Sequence, residues 1–237
     1  MIPANKTKKC TMRKALLIAM NKLLTAEEAV RHICDGDRIM IGGFGLRGCP
    51  DELVDELVRS RRKELTIISN DLGSPNQGLG RLLTNGQVKG LIGSYYNWNP
   101  EAIEAYNKGK ISVTLVPQGT LAESMRAAGM GIPAYYTPTS AGTDLEKGKE
   151  VREFNGRKYV LEEAIHTDVA LIRAKKADTL GNLVYSKTAR NFNPVMAMAA
   201  TYTIAEVDEI VEAGELGPEE IVTPHIYVNA IVMRSAK

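Results

Sequence analysis

The stretch Asp35-Gly36-Asp37-Arg38-Ile39-Met40-Ile41-Gly42-Gly43-Phe44-Gly45-Leu46-Arg47-Gly48-Cys49-Pro50 decides how the chain is read. Asp-Gly-Asp is a turn, because glycine takes up the backbone of a tight turn at no steric cost. Arg38-Ile39-Met40-Ile41 is a short apolar run and reads as a buried strand. The glycines after it form a loop. Pro50 then marks the first turn of a helix, where its missing N–H is no loss. Leu53, Val54, Leu57 and Val58 recur at helical spacing and give that helix one apolar face to about Ser60. Strand, glycine loop and helix in succession are a unit of an α/β protein.

Working outward, the unit recurs. Upstream, Thr25-Ala26-Glu27-Glu28 is a capping box that opens a short helix to about Ile33. Downstream, strands are expected at Leu65–Ser69, Val88–Gly93 and Ile111–Val116, and helices at Gln77–Leu83, Pro100–Lys108 and Leu121–Ala128. From Tyr135 to Val151 the chain is rich in Thr, Gly, Pro and charge and reads as a long excursion over the surface. Strands resume at Lys158–Leu161, Val169–Ala174, Asn182–Ser186, Tyr202–Val207 and Ile226–Val232, with a helix at Pro194–Ala200. The fold class is α/β, a largely parallel sheet flanked by helices. Residues 23–237 read as one domain, without repeat, linker or low-complexity segment. Residues 1–22 read as a disordered N-terminal extension. Lys6, Lys8, Lys9, Arg13 and Lys14 ahead of Ala15–Met20 imitate a signal peptide, but the apolar part is short of the ~7–15 residues expected. Met12 and Met20 instead suggest an upstream start.

Composition narrows the function. Of 237 residues, 44% are hydrophobic and 24% charged, as in an ordinary globular protein. Thirty basic against 28 acidic residues give a net charge of +2, which makes no case for nucleic acid or a membrane surface. No apolar run approaches the ~18 residues of a membrane span. Cys10, Cys34 and Cys49 are scattered, and His32, His166 and His225 do not join them. Neither a zinc site nor a disulfide framework is expected, and the cysteines suit a reducing, cytoplasmic compartment.

Gly43 to Gly48 literally matches G-x-G-x-x-G, and Asp71 lies roughly 20 residues on, as a dinucleotide fingerprint asks. In that fingerprint the helix is already under way at the third glycine. Pro50 inside such a helix would cost ~3 kcal/mol, so the helix starts later and a nicotinamide-dependent oxidoreductase is disfavoured. A longer glycine loop ahead of a helix N-terminus still suits an anion, with Arg47 adding charge. The plain alternative is a tight strand-to-helix turn with no ligand.

The wider segment from Asp35 to Pro50 is more specific. Ile68-Ser69-Asn70-Asp71, Val116-Pro117-Gln118-Gly119-Thr120-Leu121-Ala122-Glu123, Tyr136-Thr137-Pro138-Thr139 and Arg152-Glu153-Phe154-Asn155-Gly156 follow it in order. Leu161-Glu162-Glu163-Ala164, Ala177-Asp178-Thr179-Leu180-Gly181-Asn182-Leu183 and Ala189-Arg190-Asn191-Phe192-Asn193-Pro194 complete the set. Together they resemble the family I CoA-transferases over about residues 23–234. The resemblance is to the α (A) chain of the two-chain members and to the N-terminal half of succinyl-CoA:3-oxoacid CoA-transferase.

The resemblance implies transfer of CoA from an acyl-CoA to a free carboxylic acid, by ping-pong kinetics through a glutamyl-CoA thioester. A carboxylate nucleophile suits this, since it conserves the thioester's activation while one acid leaves and another enters. The nucleophilic glutamate is expected on a β subunit, in an assembly such as α2β2. No cofactor is implied beyond CoA itself as co-substrate. The resemblance places CoA binding at Gly42, Gly43, Phe44, Gly45, Leu46, Arg47 and Gly48, and active-site amides at Asn70 and Gln118. It favours acetoacetyl-, butyryl- or acetyl-CoA, with 3-oxoadipate or succinyl-CoA:3-oxoacid transfer as the alternative. Glu123, Glu153, Glu162 and Glu163 match no nucleophile motif and read as structural or surface residues. Asn193 reads as a helix N-cap with Pro194 at the first helical position, and Cys49 as packing. Tyr95-Tyr96-Asn97-Trp98 shapes an acyl pocket or an interface, or is simply aromatic core.

Overall fold

Seven parallel strands form the central sheet of the computed structural model, which describes residues 22–235. The expected extension therefore lies, apart from Lys22, outside the described residues. In chain order the strands are β1 (Arg38–Ile41), β2 (Leu65–Ile68), β3 (Val88–Gly93), β4 (Ser112–Leu115), β5 (Ala134–Thr137), β6 (Val151–Phe154) and β7 (Arg157–Glu163). They continue as β8 (Thr167–Arg173), β9 (Lys176–Asp178), β10 (Leu183–Val184), β11 (Ala200–Val207), β12 (Glu209–Val211) and β13 (Ala230–Met233). The helices are α1 (Ala26–Val30), α2 (Asp51–Ser60), α3 (Gly80–Thr84), α4 (Pro100–Asn107), α5 (Gln118–Gly129) and α6 (Asn193–Ala199). The central sheet runs β13-β11-β8-β1-β2-β3-β4, and every neighbouring pair is parallel.

Both faces of this sheet are covered, which is why its strands read as continuous apolar runs. Side chains alternate across a strand. Ile39 and Ile41 of β1 join Val169 and Leu171 of β8 and Leu53 and Leu57 of α2 in one core. Met40, Ala170 and Ile172 face the other way, against Leu121 and Met125 of α5 and Met196 of α6. Burying one such Leu or Ile contributes about 1.5–3 kcal/mol. Residues 22–24 pair along β13, with Leu24 N–H donating to Ile231 O and Ile231 N–H to Lys22 O. No helix among the described residues is long and apolar enough to cross a membrane.

The parallel α/β expectation holds, and two local readings are corrected. The stretch from Tyr135 to Val151 is no mere surface excursion, because its ends are strands: β5, β7 and β6 form a separate antiparallel sheet. Its β6–β7 hairpin turns at Asn155-Gly156, both at positive φ, as a two-residue turn that matches strand twist requires. Of the two readings open for Glu162 the structural one holds: on β7 it is buried and paired with Lys149 at 2.7 Å. Asn193 is not an N-cap. It is the first residue of α6 and its side chain turns inward, as described below.

Candidate active site

The strand order changes direction at β1: β2, β3 and β4 lie to one side, β8, β11 and β13 to the other. In open α/β sheets the crevice beyond the strand C-termini at such a point is where ligands bind. The segments that leave β1, β2, β3 and β4 at this edge carry Gly42–Gly48, Asn70, Ser94 and Gln118.

The glycine loop is a narrow turn. Phe44 N–H donates to Arg47 O at 3.0 Å and Arg47 N–H to Phe44 O at 3.1 Å, which puts Gly45 and Leu46 at the tip. Phe44, Leu46 and Arg47 are exposed. The base of the loop is held by Asn193, which is fully buried. Its Oδ1 accepts from Arg173 N–H at 2.8 Å, and its Nδ2 donates to Gly48 O at 3.1 Å and Ala189 O at 3.0 Å. Gly42 is needed for this approach: a Cβ there would sit 1.8 Å from Asn193 Oδ1. Gly48 has φ +73°, and a Cβ there would meet Ala189 O at 2.4 Å.

The helix that follows does not offer its end to an anion. Pro50 is the N-cap of α2, so the helix begins one residue later than the sequence suggests, and Pro50 has no N–H. The next free amides, Glu52 and Leu53, donate to Glu206 Oε2 at 2.8 and 3.0 Å. Glu206 is a buried carboxylate at the end of β11, paired with Arg173 at 2.8 Å. Burial raises its pKa, opposed by the Leu53 amide and Arg173. The expectation that helix-end N–H groups meet a phosphate is thereby overturned, because the protein's own carboxylate occupies them. Cys49 beside this helix is buried, and burial pushes its thiol well up, the setting of a packing residue.

Asn70 and Gln118, far apart in sequence, meet directly. Gln118 Nε2 donates to Asn70 Oδ1 at 2.9 Å. Ser94 Oγ donates to the same oxygen at 2.6 Å. Asn70 Nδ2 donates in turn to Asp71 Oδ2 at 2.7 Å, and that oxygen also accepts from Gly45 N–H at 2.9 Å. One chain of hydrogen bonds thus runs from the first residue of α5 through Asn70 to the tip of the glycine loop. Leu46 reinforces the join by lying against Gly73 and Gly78. Asn70 is buried at 2 % exposure, whereas Gln118 is exposed.

Ser94 and Asp71 fall outside the expected site residues. In the sequence Asp71 closes one of the resembling segments, but the only role it is offered is the acid position of a dinucleotide fingerprint; in the fold it accepts from backbone and amide donors instead. The aromatic stretch divides: Tyr96 is buried, while Tyr95 and Trp98 are exposed and in edge-on contact. The core reading therefore holds for Tyr96 alone. The site is a neutral pair of side-chain amides beside a glycine loop, suited to donating hydrogen bonds to a carbonyl or carboxylate oxygen. Its one acid, Asp71, has both oxygens engaged by N–H groups, so it is not poised as a nucleophile.

Comparison with known proteins shows the family. The family model described as "Coenzyme A transferase" matches residues 23–234. The chain is 53% identical over 213 residues to the A chain of the Helicobacter pylori (strain J99) succinyl-CoA:3-ketoacid coenzyme A transferase, covering 90% of this chain and 92% of the relative. It is 44% identical over 212 residues to the alpha chain of the Escherichia coli K12 acetate CoA-transferase, covering 90% and 96%. Both relatives are named as subunits. The crystal structure of an acyl-CoA transferase from E. coli O157:H7, a thioester complex with CoA, shares the fold with a TM-score of 0.83 at 23% identity. The match covers 90% of this chain and 50% of that one.

Proposed function

The chain belongs to the coenzyme A transferase family, and from that premise we propose that it is the α subunit of a heteromeric enzyme. It moves CoA between an acyl-CoA and a free short-chain carboxylic acid. The relatives compared above are named as subunits, which supports a β partner; we take the assembly to be α2β2. The scattered cysteines of the sequence suit a cytoplasmic enzyme.

The observation that carries the reading is the Asn70–Gln118 contact at the sheet edge, in a site whose own carboxylate is fully engaged. The nucleophile then comes from the partner. A partner glutamate oxygen attacks the thioester carbonyl, the C–S bond breaks and CoA leaves as thiolate, giving an acyl-glutamyl anhydride. The thiolate attacks the glutamyl carbonyl and the first acid leaves as carboxylate. The acceptor acid reverses both steps. In each tetrahedral intermediate an oxyanion forms, and the second N–H of Asn70 Nδ2 is the donor offered to it. One such donor contributes roughly 10²–10³-fold in rate. Gln118, exposed and tied to Asn70, orients the carboxylate. The turn at Gly42, Gly43, Phe44, Gly45, Leu46, Arg47 and Gly48 lines the path of CoA, with Arg47 able to meet a phosphate and Phe44 and Leu46 the pantetheine. The two chains closing on each other exclude the water that would hydrolyse the anhydride.

The relatives are named as succinyl-CoA:3-ketoacid, 3-oxoadipate and acetate CoA-transferases, and we take acetoacetate and acetate as the first pair to try. The test is CoA exchange from acetoacetyl-CoA by the chain with its partner, across acetate, butyrate, succinate and 3-oxoadipate. Ping-pong kinetics with at least one acid are expected, and the Asn70→Ala assembly should be slowed about 10²–10³-fold in kcat. No transfer to any acid by an intact assembly would overturn the reading.

A further inference from the structure

We propose that Asp71 is a positioning residue that sets the orientation of both site amides and the tip of the glycine loop together. The proposal rests on the reading of Asn70 as the donor to the thioester oxyanion.

Asp71 is only 6 % exposed, and among the described residues no lysine or arginine pairs with it. Three N–H donors converge on it. Oδ2 accepts from Gly45 N–H at 2.9 Å and from Asn70 Nδ2 at 2.7 Å, and Oδ1 accepts from Gly73 N–H at 2.7 Å. An ionised carboxylate is acceptor-only. It therefore forces the nitrogen end of Asn70 toward itself. The oxygen end must then face Ser94 Oγ at 2.6 Å and Gln118 Nε2 at 2.9 Å, which both donate to it. Every donor in the chain Gln118 to Asn70 to Asp71 points toward the one charge. A flipped Asn70 would set its NH2 against the Gln118 NH2 and its oxygen against a carboxylate. The same oxygen that orders the amides holds Gly45, so the amides and the loop tip share one anchor.

An asparagine at position 71 cannot do this. It has one acceptor oxygen, and its NH2 would face a donor whichever way it turned. In the complete assembly, Asp71→Asn is expected to lower kcat about 10- to 100-fold, the range for losing charge-assisted hydrogen bonds. It should also raise KM for the acyl-CoA, because the loop loses its tie. The decisive readout is a double-mutant cycle with Asn70→Ala. In the Asn70→Ala background the kcat loss from Asp71→Asn should shrink to less than about threefold, since Asp71 acts through Asn70, while the KM effect persists. Equal kcat losses in both backgrounds would make Asp71 a merely structural residue and overturn the proposal. An Asn70→Ala assembly that keeps full activity would instead overturn the underlying reading of the site. Ser94→Ala covers the case in which the position 71 variant fails to assemble. With Asp71 in place to order Asn70, its kcat should fall less than about fivefold. A loss as large as that of Asn70→Ala would assign the ordering to Ser94 and refute the proposal.

Discussion

Adding one methyl group at Gly42 should cost the protein as much as deleting the Asn193 side chain, and doing both should cost little more than either. Asn193→Ala leaves Arg173 N–H and Gly48 O without their side-chain partner and removes one of two from Ala189 O. At roughly 1–3 kcal/mol for each buried group left unsatisfied, the expected loss is about 3 kcal/mol. Gly42→Ala places a Cβ 1.8 Å from Oδ1 and 2.7 Å from Cγ of Asn193, so that side chain must leave its site and the same bonds are lost. The three atoms nearest that Cβ all belong to Asn193, so once the residue is alanine the added methyl is relieved of the clash. The double variant is therefore expected at about 3 kcal/mol rather than the ~6 kcal/mol that independent effects would give. Thermal melts of the variants with their partner would read this as a fall of about 6–12 °C in each single variant and in the double. Additive losses would refute the argument that Gly42 is glycine to admit Asn193.

Other outcomes follow from the same structure. Glu206→Gln turns an NH2 toward Arg173 or toward the α2 amides, and should cost about 2–3 kcal/mol at neutral pH by denaturant titration. Because burial raises the Glu206 pKa in the fold, its contribution to stability is fullest below the unfolded-state value and declines as pH rises through the folded one. The variant should lack that decline, and an unchanged stability profile would contradict it. Cys49, buried and with its thiol pushed up, should resist alkylation until the protein unfolds, as mass mapping of labelled peptides would show. Trp98 is the chain's only tryptophan and is 63 % exposed, so the emission of the chain alone should be that of a solvated indole, readily quenched by acrylamide. A blue-shifted, shielded emission would contradict that placement.

Much of the architecture is legible because its signals are local. Ile39, Met40 and Ile41 spell a strand buried on both faces, and Leu53, Val54 and Leu57 spell the inner stripe of α2. The β6–β7 hairpin is equally local: Asn155-Gly156 is a strong turn signal between the runs at Val151 and Lys158, and charge on those strands disguises it. Glu206 is not legible. A glutamate at the end of an apolar strand reads as exposed, and only the three-dimensional fold brings the first amides of α2 over it. Asn193 misleads for a related reason: Asn before Pro is a good capping pair, but the buried donors and acceptors of β8 and the glycine loop outcompete the local cap. Asn70 and Gln118 stand out through the family resemblance, yet nothing in their spacing shows that they touch. Asp71, one residue from Asn70, carries the wrong motif's expectation, because its partners Gly45 and Gly73 become neighbours only when the loops after β1 and β2 fold over the same sheet edge.

The most direct test of a split active site is acetoacetyl-CoA to acetate exchange, measured for this chain alone, for its β partner alone, and for the two together. The account predicts transfer by the pair and none by either chain separately. Transfer by this chain alone would place the nucleophile among its own residues and contradict the account.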